Sequence, residues 1–174
     1  MAPAEGARPD MHADDEIHLR RIGTIGTPFT SVDGMPIQPA GAAGLTGEIR
    51  IEPEYVAGLR DLRGFSHLIL IYHLHRITGF SLEVQPFLDR SSHGIFATRS
   101  PARPNPIGIS VVRLLSIEGA VLRFANPDML DGTPLLDIKP YVADFDRVDP
   151  EAEGWFEGKS RRAAVQRSDT RFAP

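Results

Sequence analysis

Residues 67–75 read His67-Leu68-Ile69-Leu70-Ile71-Tyr72-His73-Leu74-His75. On a strand, side chains alternate between the two faces. The odd-numbered face carries His67, Ile69, Ile71, His73 and His75. The even-numbered face carries Ser66, Leu68, Leu70, Tyr72, Leu74 and Arg76. Large apolar groups on both faces mark a strand covered on both sides. Downstream, Ile109–Ile117 and Ala120–Ala125 flank Glu118-Gly119 and predict a hairpin. Leu135–Tyr141 is a further strand, entered from the turn Asp131-Gly132-Thr133-Pro134. Upstream, Ile17–Gly26 and Thr46–Ile51 read as strands, and Gly34–Gly47 as a long glycine- and proline-rich loop. Pro53–Leu62 predicts a short helix: proline opens it, Val56, Leu59 and Leu62 share a face, and Gly64 stops it. Strands and helices do not alternate regularly, which argues against a doubly wound parallel sheet. The expectation is a mainly β fold, a single closed or nearly closed β-barrel with one or two short helices. It spans 17–147, between a disordered tail over 1–16 and a polar C-terminal tail over 148–174.

The 174 residues, 41% of them hydrophobic, suffice for one domain with a proper core. No apolar run is long enough to span a membrane, and the acidic first 16 residues do not resemble a secretory signal. The absence of cysteine excludes disulfides and thiol chemistry, in keeping with a cytoplasmic protein. The net charge of −4 comes from the leading segment, where five acidic residues face one arginine. Residues 17–147 balance thirteen basic against thirteen acidic side chains, so the folded part has no broad basic surface. Only Lys139 and Lys159 are lysines, a bias that a GC-rich genome also produces.

A second stretch, Phe96-Ala97-Thr98-Arg99-Ser100-Pro101-Ala102-Arg103-Pro104-Asn105-Pro106-Ile107-Gly108, carries three prolines. Each proline fixes its own φ and keeps the residue before it out of the helical region. The segment reads as a stiff loop displaying Arg99, Ser100, Arg103 and Asn105, suited to a preorganised polar or anionic ligand. Other constellations are weaker. Gly41, Gly44 and Gly47 are spaced G-x-x-G-x-x-G, with no helix after them, which is not a dinucleotide fingerprint. His73 and His75 share a strand face with His67, but no carboxylate in that strand completes a metal site. Ser66-His67 and Ser92-His93 are adjacent pairs whose side chains should diverge, and no nucleophile elbow is present. Alternation places Asp137, Lys139 and Tyr141 on one face. They line a pocket, or they form a solvated Asp–Lys pair of little consequence.

The proline-rich stretch resembles the signature of the TsaA-like (TrmO) family. Ile22-Gly23-Thr24-Ile25, Gly64-Phe65-Ser66-His67-Leu68 and Asp131-Gly132-Thr133-Pro134-Leu135-Leu136-Asp137-Ile138-Lys139-Pro140-Tyr141 match in the same order, over roughly residues 17–146. The resemblance implies a homodimeric barrel that binds S-adenosylmethionine without a Rossmann fold. It also implies methyl transfer to N6 of N6-threonylcarbamoyladenosine beside the tRNA anticodon. The cofactor cradle it implies comprises Pro39, Ala40 and Gly41; His75 and Arg76; Arg99; Ile109; and Asp128, Met129, Leu130 and Asp131. Arg99 or Arg76 would take the methionine carboxylate, and Asp128 or Asp131 the ribose hydroxyls or the amine. Asp137 is the candidate base, Lys139 the partner of the threonyl carboxylate or a phosphate, and Tyr141 an orienting group; alternatively the three support the Arg99 loop. No metal is implied.

Three departures from the family pattern bear on the substrate. The Pro-Arg-Gln-Pro turn of longer bacterial members reads Pro36-Ile37-Gln38-Pro39. Their first-loop Arg-Ser-Pro reads Gly26-Thr27-Pro28, and their C-terminal domain has no counterpart beyond the tail from Val148. Arg20, Arg21, Arg60, Arg63, Arg90 and Arg103 are the candidate phosphate contacts. A non-tRNA acceptor, or a non-catalytic S-adenosylmethionine-binding role, are the alternative functions.

Overall fold

The computed structural model describes residues 17–172; the tail expected over 1–16 lies outside the described residues. Among the described residues there are eight strands: β1 (Gly23–Gly26), β2 (Thr46–Ile51), β3 (His67–His73), β4 (Glu83–Val84), β5 (His93–Gly94), β6 (Ile107–Glu118), β7 (Val121–Ala125) and β8 (Thr133–Pro140). Six close into a barrel in the order β1-β2-β7-β6-β3-β8, and β4 pairs with β5 separately. Every neighbouring pair in the barrel is antiparallel. The expected β-barrel is therefore the fold.

Alternation builds the core. Leu68, Leu70 and Tyr72 of β3 point inward, as do Ile49 and Ile51 of β2, Val112 and Ile117 of β6, and Leu122 and Phe124 of β7. Two glycines make room for the largest inward rings. A Cβ on Gly108 would collide with the Tyr72 ring, and one on Gly47 with Phe124. Gly108 thus closes the proline-rich stretch because the barrel wall meets an aromatic side chain there.

The antiparallel order also decides where a site can form. β1, β3 and β7 run toward one end of the barrel, and β2, β6 and β8 leave from it. The connections over 27–45, 74–106 and 126–132 therefore gather at that end. At the opposite end β6 and β7 are joined by a tight turn at Gly119, whose φ is +59°.

Local expectations needed correction in two places. The first strand covers only Gly23–Gly26, because Ile17 and Leu19 are exposed and pair with nothing in the sheet. Pro53–Leu62 is not an α-helix but the 3-10 turns Pro53–Leu59 and Leu62–Gly64, separated by Asp61 at φ +65°. The segment is too short to offset helix nucleation, holds Gly58 inside and has no side-chain cap. Its apolar residues Val56, Leu59 and Leu62 still pack against the core. One α-helical turn, α1 (Ala143–Asp146), follows β8.

Beyond Arg147 the polar segment crosses the loop end of the barrel as three 3-10 turns, Gly154–Phe156, Ser160–Ala164 and Thr170–Phe172. It is tied down at 89, 97 and 34–36. Lys159 meets Asp89 at 2.6 Å, Trp155 Nε1 donates to the Ala97 carbonyl at 2.7 Å, and Arg167 bridges Pro36.

Candidate active site

The gathered loops and the C-terminal crossing enclose a cavity of about 790 Å³, within the size range of small-molecule sites. Its floor is the inward end of β3 and β6. Tyr72 and Ser110 share a hydrogen bond of 2.9 Å, and Ser110 Oγ donates to Asp128 Oδ1 at 2.7 Å. A hydroxyl has one proton and a carboxylate accepts only, so the Tyr72 hydroxyl donates to Ser110. Burial pushes the Asp128 carboxyl up to about 6, against the opposing pull of the Ser110 bond and the Arg99 charge. Burial, with the Asp128 charge, also raises the Tyr72 phenol. A carboxylate placed this way favours a cation in the cavity.

One wall is the proline-rich loop. It does not display Arg103, as its sequence suggests; the guanidinium turns inward. Its Nη1 donates to the Thr98 carbonyl at 2.9 Å and to the Ile95 carbonyl at 3.3 Å. Thr98 Oγ1 bonds the Ile95 carbonyl at 2.8 Å and accepts the Ser100 amide at 3.2 Å. These bonds leave Ser100 buried, with a hydroxyl that has no partner among the described residues. Arg99 is the opposite case: exposed at the cavity rim, its guanidinium meets only Gln38 Oε1 among the described residues, at 3.4 Å. It has donors free for an anionic group.

The other predicted cradle residues divide between lining and support. His75, Arg76, Ile109, Met129 and Leu130 line the cavity with Arg99 and Asp128. Burial, Arg76 and His73 hold the His75 imidazole below its usual range, favouring the neutral ring. Asp131 faces away: its Oδ1 accepts the Thr27 amide at 3.1 Å and positions the 128–131 loop. Pro39, Ala40 and Gly41 form a 3-10 turn beside the lining residue Gln38. The Gly41 carbonyl accepts Arg167 Nη1 at 2.8 Å, so the C-terminal crossing occupies that turn.

Asp137 and Lys139 share a face of β8, as alternation predicts, and pair at 2.9 Å. They sit outside the cavity, their side chains 46% and 59% exposed. Tyr141 packs edge-on against His67. The register carries a further relation. Ile71 of β3 pairs with Ile109 on one side and Asp137 on the other. Asp137 thus lies two strands, about 10 Å, from cavity-lining Ile109 across the outer barrel face. Among the described residues no group of three His, Cys, Asp or Glu is placed to hold a metal. Ser66 Oγ and His67 Nδ1 do approach to 2.9 Å, because Ser66 precedes β3 and escapes its alternation; both are exposed and neither lines the cavity.

Sequence reasoning missed Tyr72, Ser110 and the whole C-terminal crossing. For Ser110 a signal existed, a hydroxyl at an inward position of a strand. For the crossing there was none, since its polar composition reads as a tail.

A family profile described as the tRNA-methyltransferase O N-terminal domain matches residues 24–147. The chain belongs to this family. A probable S-adenosyl-L-methionine-binding protein of Pyrococcus abyssi is 49% identical over 156 residues, covering 90% of this chain and 85% of the relative. The tRNA (adenine(37)-N6)-methyltransferase of Escherichia coli is 35% identical over 134 residues, covering 71% of this chain but 57% of the relative. The crystal structure of TrmO from Pseudomonas aeruginosa matches with a TM-score of 0.68 and 36% identity, over 80% of this chain and 61% of that one. The matched residues include all of the barrel except Gly23, and the three loops that gather at the cavity. The segment from Val148 onward, which completes the cavity, lies beyond the match.

Proposed function

We propose that the chain is an S-adenosylmethionine-dependent tRNA methyltransferase whose acceptor is N6 of N6-threonylcarbamoyladenosine beside the anticodon. One observation carries the cofactor part. A single cavity holds a buried carboxylate at Asp128, an arginine with free donors at Arg99, and a partnerless buried hydroxyl at Ser100. S-adenosylmethionine presents a matching set: a cationic ammonium and sulfonium, a carboxylate, ribose hydroxyls and an adenine. Asp128 fits the cationic end, Arg99 the carboxylate, Ser100 a polar edge, and Met129 with Leu74 an apolar ring.

When bound, the donor supplies an electrophilic methyl group on a cationic sulfur. The protein's part is alignment and electrostatics. The Tyr72–Ser110–Asp128 chain fixes the carboxylate's orientation, and the loop held by Arg103 keeps Arg99 and Ser100 in place. The acceptor N–H lies between a purine and a carbonyl, both electron-withdrawing, so a modest base suffices. We assign that role to Asp137; as it lies about 10 Å from cavity-lining Ile109 in its own protomer, it would reach an acceptor at the donor from a paired copy. Lys139 serves the threonyl carboxylate or a phosphate, and Tyr141 orients.

The same outer face supports pairing of two copies. Ile107, Ile109 and Val111 of β6 are 41%, 60% and 44% exposed in one row, beside the half-buried Ile69 and Ile71. A row of this kind marks an interaction surface, and a homodimer through it would frame the acceptor path. Arg103 and Arg63 are engaged with backbone carbonyls, and Arg21 pairs with Glu52 at 3.1 Å. Arg60 has a loose, exposed contact with Asp61 at 3.8 Å and sits at the far end of the barrel, which leaves Arg20 and Arg90 for RNA phosphates. A cytoplasmic location, where tRNA is modified, fits this role.

Calorimetric titration with S-adenosylmethionine tests the cofactor; absence of heat refutes it. Mass spectrometry of tRNA nucleosides from a deletion strain tests the acceptor. Loss of methylated threonylcarbamoyladenosine supports it, and its persistence without a paralogue overturns it.

A further inference from the structure

The segment past the family domain raises a question of its own, because every anchor it makes lies on a loop that walls the cavity. Ser168 exchanges backbone bonds with 34–35: its amide donates to the Met35 carbonyl at 3.0 Å, and its carbonyl accepts the Gly34 amide at 2.9 Å. Lys159 Nζ reaches Asp89 Oδ2 at 2.6 Å, and the same carboxylate holds His93 Nε2 at 3.1 Å. Trp155 stacks on His93 with centroids 4.5 Å apart. Phe172 meets Phe87 edge-on at 5.3 Å. Trp155, Phe156 and Phe172 all line the cavity.

We propose that residues 153–172 are a cofactor-binding strap, an aromatic wall of the S-adenosylmethionine cavity latched by Lys159 and Asp89. The inference rests on the cofactor reading above. Its physical basis is a contrast in burial. None of the described residues after Arg147 is buried, so the strap has no core of its own and depends on polar anchors. Segments held this way open at low free-energy cost. A ligand filling the cavity adds contacts on the strap's inner side and favours the closed arrangement by mass action. The Lys159 and His93 partners also hold Asp89 well below the usual carboxylate range, so the latch stays charged across the physiological range.

The test is limited tryptic digestion of the full chain with and without S-adenosylmethionine, alongside calorimetry. Arg161 and Arg162 are exposed on the strap; Arg60, also exposed, sits at the far end of the barrel and serves as the control. The expected result is slower cleavage at Arg161 and Arg162 when the donor is bound, with cleavage at Arg60 unchanged. Lys159→Ala should raise the Kd several-fold and abolish the protection, while Lys159→Arg restores both; circular dichroism verifies the barrel in each variant. Heat of binding with no selective protection overturns the strap and leaves the cofactor reading intact. Absence of heat with the unmodified chain overturns the cofactor reading itself.

Discussion

Two walls of one cavity are built on different principles. The proline-rich loop is rigid before any ligand arrives: three prolines restrict its backbone, and Arg103 ties its carbonyls together from inside. The strap has no buried residue and holds on through a few long-range anchors. The first presents Arg99 and Ser100 in fixed positions; the second presents aromatic surface that can adjust. A preorganised wall gives orientation, while an adjustable one gives coverage and lets the ligand in.

The contrast is broken most severely at Arg103. Arg103→Ala leaves the Thr98 carbonyl without its side-chain donor, at about 1–3 kcal/mol, and frees the loop, while the Ile95 carbonyl keeps Thr98 as its donor. Donor affinity should fall by about a hundredfold, with a lower Tm by calorimetry; an unchanged Kd would mean the loop's rigidity does not matter. The floor comes next. Asp128→Asn should weaken binding of the cationic donor by about tenfold, and binding of the neutral thioether product less. Equal losses would show that Asp128 reads no positive charge at sulfur.

The pH dependence sharpens the same point. Cation binding requires ionised Asp128, so donor affinity should climb as pH rises through about 6 and then level off. His75, Arg76 and Arg99 face the same cavity, so the assignment depends on the step vanishing in Asp128→Asn. Folding carries the opposite sign. The folded chain keeps the Asp128 proton where the unfolded chain has released it, so this group's contribution to stability falls between the ordinary carboxylate range and about pH 6.

Smaller effects follow. Ser100→Ala removes a hydroxyl with no partner among the described residues, so stability should hold or rise slightly while donor affinity drops a few-fold. A larger loss of stability than of affinity would reassign Ser100 to packing. Lys139→Ala, on the outer face, should leave donor affinity unchanged, since its pair with Asp137 is solvent-exposed. Turnover on tRNA should nonetheless fall; unaltered turnover would remove the Asp137–Lys139 pair from the acceptor path.

Much of this molecule was legible in its residues because the governing physics is local. Apolar residues on both faces mark His67–His75 as a strand, prolines exclude helix from 98–106, and glycine with aspartate marks the turn before β8. That only the even face of β3 is buried, and that the proline-rich stretch opens in the 3-10 turn Ile95–Ala97, came from the fold. The failures are also physical. Pro53–Leu62 has helical spacing but too few residues and a glycine inside, so its apolar side chains pack as 3-10 turns. Arg103 looks displayed in the sequence, yet folding turns it into the loop's internal tie.

From the sequence alone came the six barrel strands and the rigid loop, since each depends on neighbours one to four positions apart, while the cavity residues came from the family resemblance and β4 with β5 went unseen. Tertiary structure decided the rest. Barrel closure placed Asp128 against Ser110 and Tyr72, set Asp137 outside the cavity, and brought residues 153–172 back over loops as far away as Gly34. Those pairings depend on register and on chain ends meeting in space, and no local pattern of side chains encodes them.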